Sequence, residues 1–127
     1  MRTLSGLIPL IVALTVSSGC QQSEPVTPSM MHQVLSALQS PNQEDRDAAL
    51  ADACMESAMA GDTESILLGV SRIEDIKLHD QVAQDCFSLL VDINKIDDAK
   101  RVAALIKDPA KQKELSATLS NASRNAP

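Results

Sequence analysis

From position 30 onward the sequence carries apolar stripes at helical spacing, and those stripes return at a nearly constant interval. The clearest runs through Val82, Ala83, Cys86, Phe87, Leu89, Leu90 and Ile93, at i, i+4, i+7 and i+8 spacing. A second covers Leu50, Ala53, Cys54, Met55, Ala58 and Met59. Leu50, Val82 and Leu115 are separated by steps of 32 and 33, and Cys54, Cys86 and Leu119 repeat those steps. Gly61 and Asn94, both tolerant of the left-handed conformation that stops a helix, are 33 apart. Ile73-Glu74-Asp75 matches Ile106-Lys107-Asp108 at the same distance, and Leu38-Gln39-Ser40-Pro41 reads as a looser earlier copy. Asp62 or Thr63 can cap the helix after Gly61, and Asp108-Pro109 is an N-cap acid followed by proline at a first helical position. The pattern predicts six helices, about 30–39, 44–60, 63–73, 77–94, 97–107 and 110–122.

Helices alternating short and long form hairpins, and one hairpin alone cannot cover its own apolar faces. The predicted fold is therefore all-α, a short αα-hairpin solenoid in which neighbours stack, with Leu50 over Val82 and Cys54 over Cys86. An irregular helical bundle is the alternative arrangement. With no Trp or Tyr, and Phe87 as the single Phe, the core must be built from aliphatic and small residues. The period, the small residues Ala83, Ala99 and Ala103, and Asp108-Pro109 together resemble the tetratricopeptide class of helical repeats over residues 30–122. That resemblance implies an extended surface for peptides or helices.

The segment up to Cys20 reads differently. Met1-Arg2 supplies positive charge, and the apolar run from Leu4 to Val16 falls short of the roughly 20 residues needed to span a bilayer. Ser17-Ser18-Gly19-Cys20 follows, and resembles the lipobox of bacterial lipoproteins. The resemblance implies cleavage before Cys20, lipidation of its thiol, and attachment of the mature protein to a membrane. Gln21, by the same resemblance, implies an outer membrane facing the periplasm where the organism has one. The expected organisation is a signal peptide at 1–19, the lipidated cysteine and a polar tether with Pro25 and Pro28 at 20–29, a helical domain at 30–123 and a disordered tail at 124–127.

Charge is uneven along the mature chain. Residues 21–75 hold ten acids and two bases, a net of −8, whereas 76–127 hold seven acids and eight bases, a net of +1. The whole chain is at −6, which sets it against phosphate backbones, so no nucleic-acid partner is expected. Cys54 and Cys86 fit a disulfide in an oxidising compartment as well as they fit two small buried apolar residues. Neither lies in a C-x-x-C pair or near a metal-ligating neighbour. His32 and His79 stand apart from any ligand set and read as solvated or capping residues. Asp97-Asp98 suit capping and the dipole at a helix start. No catalytic motif, metal site or cofactor is expected, and no small-molecule substrate is inferred. The functional expectation is a membrane-tethered lipoprotein acting as a non-catalytic module for a protein or peptide partner. The alternative is a structural or accessory subunit of a larger envelope complex. Exposure of Leu115 and Leu119 on the last hairpin separates the two.

Overall fold

Most of the helices begin where a side chain takes up free amides, and the two central long ones end where the backbone turns left-handed. A computed structural model describes residues 29–125, which form six α-helices and no strand among them. The expected signal peptide, Cys20 and the expected tether up to residue 28 lie outside the described residues, as do 126–127. Helix α1 (Met30–Ala37) is capped by the Ser29 hydroxyl, which accepts from the His32 N–H at 3.1 Å. Asn42 caps α2 (Gln43–Ala60) through the Asp45 N–H, and Asp75 caps α4 (Ile76–Asp92) through the Leu78 N–H. Asp62 caps α3 (Thr63–Arg72) with bonds to both the N–H and the hydroxyl of Ser65. Lys95 precedes α5 (Ile96–Ala103) without a side-chain cap. Asp108 accepts from the Ala110 N–H at 2.9 Å at the start of α6 (Pro109–Asn125).

The left-handed stops occur where the sequence places them. Gly61 has φ 73° and Asn94 has φ 64°. Around both, the bonding is the same: Gly61 N–H to Ala58 O and Asp62 N–H to Ser57 O, then Asn94 N–H to Val91 O and Lys95 N–H to Leu90 O.

The short helices end earlier than their apolar stripes suggest. α3 stops at Arg72, and α5 stops at Ala103, well before the expected end at 107. Just beyond each end the backbone is held by a buried carboxylate. Asp47 on α2 accepts from the Glu74 and Asp75 N–H groups at 3.1 and 3.0 Å. Asp80 on α4 accepts from the Lys107 and Asp108 N–H groups at 2.9 and 3.0 Å. Amides given to a neighbouring helix cannot continue the i→i−4 ladder, so neither short helix extends past them. α6 also runs to Asn125, past the 122 expected for it, and carries helix into the stretch read from sequence as tail.

Local bonds and turns recur along the chain at a constant step of 33. The clasps at Asp47 and Asp80, the left-handed residues at 61 and 94, and the caps at 42, 75 and 108 all obey it. In this register Leu50 corresponds to Ala83 and Cys54 to Phe87. The expected matches of Leu50 with Val82 and Cys54 with Cys86 are thus one position out.

The helices pack in two ways. Sequential neighbours contact one another from α1 to α6, and in addition α1 packs on α3, α3 on α5, and α2 on α4. One hydrophobic core runs through all six, from Val34 in α1 to Leu119 in α6, with Phe87 as its largest fully buried side chain. α3 comes unusually near α2 at Gly69: a Cβ there would lie 2.3 Å from the Cys54 Sγ. No described helix is long and apolar enough to cross a membrane.

Candidate functional site

The most organised polar chemistry surrounds α4. His79 and Asp80 are adjacent, and both are buried. The His79 Nδ1 lies 2.9 Å from Asp80 Oδ1, which also accepts the Lys107 amide, while Oδ2 takes the Asp108 amide. Burial pushes the Asp80 carboxyl up, but the Lys107 amide, the His79 ring and the Asp108 amide together outweigh it. The group is held below its ordinary carboxylate value. His79, at 3% exposure, is therefore an internal hydrogen-bonding residue and not the solvated or capping histidine the sequence suggests. His32 is exposed on α1.

Among the described residues no hydroxyl or thiol bonds to this His–Asp pair, and its carboxylate oxygens are occupied by backbone. The arrangement is a structural clasp: it fixes the loop 104–108 against the first turns of α4. Asp47 does the same for the loop 73–75. Sequence reasoning passed over both residues, although two acids 33 apart, each preceding an apolar stripe, were visible in it.

Cys54 and Cys86 are buried, unbonded thiols that point at different targets. The Cys54 Sγ faces the Ile66 carbonyl of α3 at 3.9 Å, whereas the Cys86 Sγ faces the Cys54 carbonyl at 3.5 Å. Burial pushes each thiol up to about 12, Cys86 with a further contribution from its neighbour Cys54. Thiols with so little thiolate react slowly. In the native protein Cys54 and Cys86 are expected to resist alkylation, and after denaturation without reductant both are expected to titrate as free thiols. A count of zero in that titration means the pair is bonded. Cys20, expected from the sequence to carry lipid, lies outside the described residues.

No protein family, curated protein or solved structure matches this chain. Its chemistry must be read from its own residues. Among the described residues no group of three His, Cys, Asp or Glu side chains is placed to hold a metal ion. Asp97 and Asp98 lie in the first turn of α5 and pair with Lys100, Lys95 and Arg101 along the same helix. Across the surface, Arg101 bridges to Glu64 at 2.8 Å, and Lys95 donates to the Gly61 carbonyl at 3.0 Å. Both ties join the α5 region to the preceding repeat.

Proposed function

We propose that this chain is a bacterial lipoprotein, anchored by lipid on Cys20, whose helical domain is a tetratricopeptide-like αα-hairpin solenoid. It serves the cell envelope as a non-catalytic protein-interaction module. The anchor reading rests on Met1-Arg2, the apolar run to Val16 and Ser17-Ser18-Gly19-Cys20, with an outer membrane facing the periplasm as its destination where one exists. The repeat reading is supported by the constant recurrence of clasps, caps and left-handed stops, and by packing of short helices on short and α2 on α4.

The observation that carries a self-contained module over an accessory subunit is the covered end of the array. Leu115 and Leu119, the apolar residues of the last helix, are 5% and 7% exposed. The rest of α6 is mostly exposed Ser, Thr, Asn, Lys and Ala. Position 113, where the same register would put the next clasping acid, holds Lys. A polar terminal helix closes a repeat array in water without needing another subunit.

The test is metabolic labelling with a radioactive fatty acid. Wild-type protein is expected to take up label and sediment with membranes, and Cys20→Ala to lose the label completely and accumulate as uncut precursor. Absence of label from the wild type refutes the anchor.

A further inference from the structure

Resting on the interaction-module reading, we propose that the loop edge where α3 hands over to α4, and α5 to α6, seats an acidic segment of a partner protein. Two adjoining clefts on this edge share Lys107. The first, about 650 Å³, is lined by Arg46, Arg72 and Lys107 with Leu38 and Ile73 as apolar wall. The second, about 460 Å³, gathers Lys77, Lys107 and Lys111 beside Ile76, which is 61% exposed.

The acids lining the same clefts are already engaged. Glu74 pairs with Arg46, whose guanidinium also donates to the Ser40 carbonyl. Asp80 is held by the amides of Lys107 and Asp108, and Asp108 caps α6 through Ala110. That leaves Arg72, Lys77, Lys107 and Lys111 with no carboxylate at ion-pair distance among the described residues. In a chain of net charge −6, four unpaired cations on one edge are charge that an external anion can complement. The Asp80 clasp holds the backbone of Lys107, and the Asp47 clasp holds residues 74 and 75 between Arg72 and Lys77, so the loops need little ordering when a ligand arrives.

An acidic polypeptide fits this edge better than a lipid surface. The cations line two joined recesses and not a plane, and an exposed isoleucine sits among them. A chain carrying carboxylates around an apolar side chain can enter both clefts, with Arg72 offering a planar fork and the lysines point charges. The pairs form at exposed side chains, so binding is modest and salt-sensitive.

The experiment uses the full chain in detergent and a fluorescent peptide of alternating Glu and Leu. A Lys–Leu peptide and vesicles containing phosphatidylglycerol serve as the other arms. Anisotropy is expected to show binding of the Glu–Leu peptide alone, weakened about tenfold or more by Arg72→Glu with Lys107→Glu, and by about 0.5 M salt. Carbodiimide coupling should join peptide carboxylates to Lys77, Lys107 and Lys111 in preference to Lys95, Lys100 and Lys113. Should the charge-reversal chain lose its helical circular dichroism, the milder Lys77→Gln with Lys111→Gln takes its place. The proposal is overturned by no peptide binding at about 1 mM, by coupling spread over all lysines, by variants that bind unchanged, or by vesicles engaging these lysines while the peptide does not. Fatty-acid labelling reports on the anchor separately, so either idea can fail alone.

Discussion

Asp80→Ala is expected to destabilise the domain by about 1–4 kcal/mol, the loss that follows when a buried ring and two part-buried amides lose one shared acceptor. The substitution leaves the Lys107 and Asp108 amides without their partner, and it strands the buried His79 ring. Each buried donor left unpaired costs about 1–3 kcal/mol, against a total of about 5–15 kcal/mol for a typical domain. Asp80→Asn keeps the volume and one acceptor oxygen but turns an NH₂ group toward a backbone donor, so a smaller loss is expected. Urea denaturation followed by circular dichroism measures both.

The pH dependence has a definite sign. The folded Asp80 carboxyl lies below its ordinary value of 3.8, so over the interval between the two values the unfolded chain binds more protons. Its contribution is whole above about pH 4, near the value for an unfolded Asp. It is lost progressively as pH falls through the folded value. Asp80→Asn should flatten this part of the acid-stability profile. A variant as acid-sensitive as the wild type would remove Asp80 from the account.

Gly69→Ala is expected to destabilise the domain in spite of alanine's better helix propensity. Alanine gains about 1 kcal/mol in a helix interior, but here its Cβ would stand 2.3 Å from the Cys54 Sγ, with the Val34 methyls at 3.6 and 3.7 Å behind it. Cys54 is wholly buried, so its sulfur cannot swing out into solvent to make room. Overpacking of this kind costs about 1–3 kcal/mol, and Gly69→Val should exceed it by adding methyls to the same contact. The decisive measurement is the double variant. Cys54→Ala alone opens a small cavity, yet Cys54→Ala with Gly69→Ala should be more stable than Gly69→Ala alone, since the new methyl occupies the space the sulfur vacates. Additive losses would show that the two residues do not share this contact.

Much of the local structure could be read directly. The cap at Asp62 and the left-handed stops at Gly61 and Asn94 were visible because they act on near neighbours, whereas the equally local caps at Asn42 and Asp75 were not named from sequence. Asp108-Pro109 starts the last helix for the same reason. The apolar stripes are equally local in origin: a period near 3.6 fixes which face must be buried, whatever covers it.

Other features depended on residues distant in sequence. Past Ala103 the chain tightens through i→i−3 bonds from Leu105 and Ile106, and the next amides, of Lys107 and Asp108, are held by Asp80, 27 and 28 positions earlier, which the 97–107 segment alone does not reveal. His79 looked like a solvated helix-start residue because its own segment is polar, and only its pairing with Asp80 beneath the neighbouring loop explains its burial. The apolar letters at Cys54 and Cys86 invited a match at a step of 32, whereas the clasps recur at 33 and the two thiols face different helices. The basic edge formed likewise from cations scattered between positions 46 and 111. By itself the sequence determined where helices form and which faces are apolar, because those depend on near neighbours. The tertiary structure decided their register, their inner ends and the company each side chain keeps, because a buried carboxylate takes whichever amides the fold brings to it.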